Sequence, residues 1–162
     1  MDTMWAPWRM EYILSPKPDG CIFCDKPRQR TDRDNLILAR GRTCFVIMNF
    51  YPYNNGHLMI VPYRHISNLE QLTVEEQMEM MSLLIKSNEI IKIAMHPDGL
   101  NIGMNLGKVA GAGIDGHLHI HIVPRWNGDT NFMPVLGHTK VVSQALYETW
   151  DTLAEHFQNR SD

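Results

Sequence analysis

The chain has no apolar run of bilayer length: stretches such as LMIV at 58–61 are far too short to cross a membrane. Nor does its N-terminus set a basic stretch before an apolar segment, so no leader is read there and the cytoplasm is the expected compartment. Positive charge is not in excess. The formal net charge is -3, which gives no broad attraction to nucleic acid or an anionic membrane and leaves a small ligand as the expected partner. Cysteine is scarce, with three residues that cannot all pair. Cys21 and Cys24 form a C-x-x-C pattern that in a reducing compartment points to metal or redox chemistry, and Cys44 reads as a core thiol. There is no internal repeat and no low-complexity tract. What is present, 44% hydrophobic and 20% charged residues over 162 positions, is ordinary for one globular core.

Along the chain, the aromatic and proline-rich opening at 1–20 reads as an arm packed on the body. After CIFC and a polar stretch, LILA, TCFVIMN and HLMIVP read as three strands, and the turn signals RGR and YPYNNG make them an antiparallel meander. Thr73 with Glu76 three residues on is a capping-box start for a long helix at about 73–95. Val74, Met78, Met81, Ile85 and Met95 recur on it at helical spacing. That stripe reads first as core, with contact between two copies as the second reading. His96-Pro97-Asp98-Gly99 stops the helix, LNIGMN resumes extended chain, and a Gly-rich loop leads to HLHIHIV, which Pro124 is expected to close. Leu146, Trp150, Leu153 and Phe157 mark a C-terminal amphipathic helix.

HLHIHIV sets His117, His119 and His121 at alternate positions. On a strand they share one face at spacings of roughly 6.5–7 Å, with Leu118, Ile120 and Ile122 gripping the core behind them. Imidazole serves near neutral pH as nucleophile, acid, base, phosphate donor or metal ligand. Surface histidines on a half-exposed sheet are the bland alternative, and strict threefold alternation argues against it. A purely metal-binding row is disfavoured because the spacing is wider than one tetrahedral ion prefers. CIFC by itself fits zinc only if two more ligands come from elsewhere; a reduced pair or a redox C-x-x-C are the other readings.

The pattern His-apolar-His-apolar-His-apolar-apolar resembles the signature of the histidine-triad family of nucleotide hydrolases and transferases. FVIMNFYPYNNGHLMIVPYRHISNLEQLT and NIGMNLG resemble the family's segments upstream of the triad. The terminal WAPWRMEYI and PRWNGDTNFMPVLGHTKV resemble its diadenosine tetraphosphate phosphorylase branch. The resemblance implies an α+β fold, a half-barrel of antiparallel strands with a long helix and a C-terminal helix packed on it. It makes 1–162 one domain, with a core at about 21–125, the arm at 1–20 and an extension at 126–162.

By the same resemblance His119 attacks the α-phosphorus, held in its useful tautomer by a carbonyl near His117, and forms a nucleotidyl-imidazole that phosphate or water then cleaves. His121 and His57 flank the α-phosphate, and Asn105 and the backbone around Gly113 cradle it. Asn49 holds the ribose, with turn capping as its alternative, and Ile47 borders the base, with plain core as its alternative. Relatives further imply a structural zinc held by Cys21, Cys24, His65 and His117, and a homodimer. The chain departs from many relatives at Gly113, Ile114, Asp115 and Gly116, where those carry Gln, Ser or Thr against the leaving group. Glycines there favour backbone N–H contacts, and Lys108 is a candidate for the distal phosphates, with a solvated loop lysine as the plainer reading.

The leading expectation is therefore cleavage of a dinucleoside polyphosphate, diadenosine tetraphosphate first. Three alternatives remain: a nucleotide-binding regulatory module without turnover, a hydrolase of other nucleoside phosphates or phosphoramidates, and a metal-binding structural protein.

Overall fold

The computed structural model describes residues 20–111, 113–129 and 145–159. The aromatic arm expected at 1–20, apart from Gly20, and residues 130–144 of the C-terminal extension lie outside them. Five strands form one sheet: β1 (Ile37–Arg40), β2 (Cys44–Met48), β3 (Leu58–Pro62), β4 (Gly99–Gly103) and β5 (Ile120–Arg125). Their order is β1-β2-β3-β5-β4, and every neighbouring pair is antiparallel. This is the expected α+β meander, with β1 to β4 each within a residue or two of the segment that its β-branched and aromatic content marked.

β2 and β3 are buried along their whole length because the sheet is covered on both faces. The long helix, α3 (Val74–Met95), starts on the expected capping box: Thr73 Oγ1 accepts from the Glu76 N–H at 3.2 Å, and Glu76 Oε2 accepts from the Thr73 N–H at 2.9 Å. It ends at His96, whose φ of 48° is left-handed, just before Pro97. The C-terminal helix, α4 (Leu146–Gln158), packs beside α3 and on β1, and Trp150 Nε1–H donates to the Ile37 carbonyl at 3.1 Å.

Of the stripe on α3, Met95 packs against the core as expected, but the other four residues do not. Val74, Met78, Met81 and Ile85 are 69, 67, 54 and 54% exposed, while Met80, Ser87, Ile90 and Ile91 are buried on the opposite side. Two apolar stripes run along this helix, and the one more conspicuous in sequence is the outer one.

Pro124 does not close the last strand either; β5 runs through it to Arg125, with Pro124 opposite Leu100 of β4. Proline is tolerated there because pairing with β3 stops at Ile122, and the Pro124 carbonyl is taken instead by Asn54 Nδ2–H at 3.0 Å. At its other end β5 begins only at Ile120. The expected strand start at His117 fails because pairing with β3 stops at Ile60 opposite Ile120, and segment 117–119 instead bonds the turn after β3, Leu118 N–H to the Ile66 carbonyl at 2.6 Å.

Two one-turn helices precede β1: α1 (Ile22–Asp25) and α2 (Asp32–Asn35). No periodicity could announce elements this short. Cys21 caps α1, its carbonyl accepting from the Cys24 and Asp25 N–H groups at 2.9 and 3.0 Å. Cys44 is buried on the sheet, where burial pushes its thiol up to about 11, so it is an inert core residue. No helix among the described residues is long and apolar enough to cross a membrane.

Candidate active site and metal centre

Where β5 enters the sheet, two clusters of imidazole meet. The first gathers Cys21, Cys24, His65 and His117, whose ligand atoms all lie within 4.8 Å of one another. Cys21 Sγ is 3.3 Å from His117 Nδ1, Cys24 Sγ is 3.3 Å from His65 Nδ1, and Cys24 Sγ is 3.6 Å from His117 Nδ1. Zinc bonds of about 2.3 Å to sulfur and 2.0–2.1 Å to nitrogen, at tetrahedral angles, place S and N ligands about 3.6 Å apart, so the four groups fit one ion. His117 Nε2–H donates to the Pro62 carbonyl at 2.8 Å, which leaves Nδ1 bare toward the sulfurs. Burial and the adjoining Cys21 raise the Cys24 thiol above its ordinary value. A thiol placed this way resists ionising unless a cation sits beside it.

The second cluster is His57, His119 and His121. His119 Nδ1–H donates to the His117 carbonyl at 2.7 Å, so its Nε2 carries the lone pair. Burial lowers its pKa, which keeps the imidazole neutral at pH 7. His57 Nδ1 accepts from the Tyr53 N–H at 3.1 Å and lies 3.3 Å from Asn49 Nδ2. A nitrogen that accepts places the proton on the other one, so His57 Nε2–H donates to His121 Nδ1 at 2.9 Å. By the same logic His121 carries its own proton on Nε2. The site therefore sets a bare nitrogen on His119 beside a protonated one on His121, with the two rings 4.6 Å apart and nearly perpendicular.

The expected open row of histidines is partly roofed. His117 and His119 are 1 and 5% exposed, and only His121 is half-buried, because α1 folds over the start of the segment and lays Phe23 against it. Asn49 sits beside His57 with its Oδ1 accepting from the Tyr51 N–H at 2.9 Å, an Asx turn that fixes the loop after β2. Ile47 is fully buried in the core. Asn105 Nδ2–H reaches across the Gly-rich loop to the Gly111 carbonyl at 3.5 Å, and Gly113 lies in the bend between that loop and His117. Lys108 is exposed and pairs with Asp115 at 3.7 Å. Sequence reasoning missed Phe23, the Pro62 carbonyl and the Tyr53 N–H. Only Phe23 left a signal, an aromatic residue inside the C-x-x-C.

The two best-formed cavities among the described residues lie elsewhere. One of about 370 Å³ adjoins Asn55, Met95, Trp126 and Thr149; the other, of about 290 Å³, adjoins Arg42, Tyr63 and Arg64. The candidate chemistry is marked by titratable groups with complementary protons and not by either of these cavities.

The HIT domain model matches residues 30–128. An AP-4-A phosphorylase from Mycobacterium tuberculosis (strain CDC 1551 / Oshkosh) is 41% identical over 162 residues, covering 95% of this chain and 83% of that protein. Among solved structures, a hypothetical histidine triad nucleotide-binding protein from Sulfolobus tokodaii strain7 superposes with a TM-score of 0.68 at 26% identity, covering 86% of this chain and 93% of that one. A Zn-bound histidine triad family protein from Mycobacterium smegmatis shares the fold with a TM-score of 0.62 at 23% identity, over 76% of this chain and 84% of that one.

Proposed function

This chain belongs to the HIT domain family, and from that membership we propose that it cleaves a dinucleoside polyphosphate, diadenosine tetraphosphate first, at the α-phosphate through His119. The observation that carries the proposal is the bond from His119 Nδ1–H to the His117 carbonyl, which leaves Nε2 as a neutral nucleophile without a separate base. The likeness to a protein named AP-4-A phosphorylase supports the substrate class.

In the first step the His119 Nε2 lone pair attacks the α-phosphorus and the P–O bond to the β-phosphate breaks. ATP leaves and AMP stays bound to the imidazole. His121 Nε2–H donates to the phosphoryl or bridging oxygen as charge grows there, and His57 keeps that proton on the outward nitrogen. Asn105 and the backbone at Gly113 cradle the phosphates, Asn49 holds the ribose side, and Ile47 backs the base pocket from the core. In the second step an acceptor oxygen attacks phosphorus, the P–N bond breaks and His119 is restored. Phosphate as acceptor gives ADP; water gives AMP.

Cys21, Cys24, His65 and His117 would hold a structural zinc that ties α1 to the reactive segment, and they supply no step of the reaction. The exposed α3 stripe, together with the exposed edge of β4, is the surface through which two copies pair. Free thiols at all three cysteines fit a reducing cytoplasm.

Incubation of the purified chain with diadenosine tetraphosphate, with and without phosphate, tests the reading. ADP plus ATP with phosphate, and a nucleotidyl adduct on His119 after acid-free quench, are expected. No turnover of this or any other nucleotide refutes it.

A further inference from the structure

The C-x-x-C turn does more than present two sulfurs. Cys21 caps α1 and Cys24 lies on it, and of the two residues between them Phe23 is fully buried. Its ring centroid is 5.0 Å from that of His119, at 54°, and 5.5 Å from that of His117, at 75°. One four-residue turn therefore carries both sulfurs of the candidate metal centre and the wall against which the candidate nucleophile rests.

The His119 ring needs such a wall. Among the described residues its one hydrogen bond runs from Nδ1 to the His117 carbonyl, and the outer torsion of histidine is broad and roughly two-fold, so a single bond does not hold the ring plane. If the ring turns over, Nδ1 leaves the carbonyl and Nε2 leaves its aim. Packed neighbours must choose between the two orientations. Its ring neighbours are His121, which is itself an imidazole tied to His57, and Phe23, which is tied to the cysteines.

From this arrangement we infer that Phe23 is a positioning residue for the reaction: it fixes the His119 ring and makes nucleophile geometry depend on an ordered Cys21–Cys24 turn. The inference rests on the role given to His119 above. Its distinguishing property is coupling. Loss of metal order at the turn acts on the chemistry through one side chain, so removing the side chain and loosening the turn have overlapping and not additive effects.

The test uses the full chain supplied with one equivalent of zinc, comparing Phe23→Leu with Phe45→Leu, a control at an equally buried phenylalanine that stacks on Tyr63. Phe23→Leu nearly keeps volume and so avoids the folding failure that Phe23→Ala risks. Adduct formation is expected to slow about tenfold in Phe23→Leu with KM within about twofold of the parent, as a modest misaim of a reacting atom does. Zinc should remain bound. Chelation should slow the parent markedly and Phe23→Leu by a smaller factor. Independently of activity, the ¹⁵N signals of the His119 ring should show one tautomer in the parent and in Phe45→Leu, and a mixture in Phe23→Leu. If Phe23→Leu matches Phe45→Leu in rate and in ring signals, the inference is overturned. A parent that forms no adduct but shows the single tautomer, lost only in Phe23→Leu, supports the positioning role and sinks the enzymatic reading instead.

Discussion

His117 and His119 are two positions apart on one segment, and they carry their protons on opposite nitrogens. In the metal cluster, His117 gives Nε2–H to the Pro62 carbonyl and turns a bare Nδ1 inward, toward two sulfurs and His65. In the reactive cluster, His119 gives Nδ1–H to the His117 carbonyl and keeps Nε2 bare. The first cluster converges its lone pairs on a point, which is what a cation asks for. The second alternates donor and acceptor through His57 and His121, which is what a phosphoryl group with growing negative charge asks for. Identical side chains thus acquire different chemistry from the backbone carbonyl each one meets.

Four perturbations break or sharpen this contrast, in falling order of effect. His119→Ala removes the proposed nucleophile and should abolish any nucleotidyl adduct and cut turnover by about a thousandfold or more, while bound metal, read by elemental analysis, stays unchanged. Cys21→Ser attacks the other cluster. Metal content should fall, and thermal melting should drop by about 10 °C, the equivalent of losing about 4 kcal/mol of ligand-linked stability in a chain of this size. His57→Gln tests the donor chain: with no imidazole to fix the His121 tautomer, kcat should fall about a hundredfold with melting changed far less, and equal losses in both would contradict the assignment.

The smallest effect concerns acid. Glu76 is bonded by Arg64 through two nitrogens, and this bond, helped by the Thr73 N–H, holds its carboxyl at about 2. Because the folded value lies below the ordinary one of about 4.3, the pair stabilises the protein fully above that pH and loses its contribution as pH falls toward 2. Arg64 precedes His65, so the pair steadies the turn that carries a candidate metal ligand. Urea melts of Glu76→Gln should show a deficit of about 1–2 kcal/mol at pH 6, after allowance for the solvent-exposed Arg64, that shrinks toward pH 3. A deficit independent of pH would assign Glu76 to packing or capping alone.

Much of this architecture was legible in the sequence. The strands and the capped helix follow from β-branched alternation and from Thr73–Glu76, signals local to each element. The clustering of Cys21, Cys24, His65 and His117 was legible only through family resemblance, because no spacing rule joins residues 21 and 117. What misled was decided between elements. The α3 stripe at Val74, Met78, Met81 and Ile85 has core periodicity, yet Met80, Ile90 and Ile91 form the face that meets the sheet. Pro124 looks like a strand stop until the early end of pairing with β3 is known. Glu79, on α3, accepts from the N–H groups of Arg42, in the turn after β1, and Cys44, at the start of β2, a long-range anchor that leaves no pattern in the chain.

The carbonyl that sets the His119 tautomer belongs to residue 117 whatever its side chain. A codon change there can erase an imidazole, and with it a ligand, but it cannot erase a main-chain oxygen. Replacing the residue 117 side chain would therefore remove one candidate ligand while leaving the hydrogen bond that fixes the His119 ring in place.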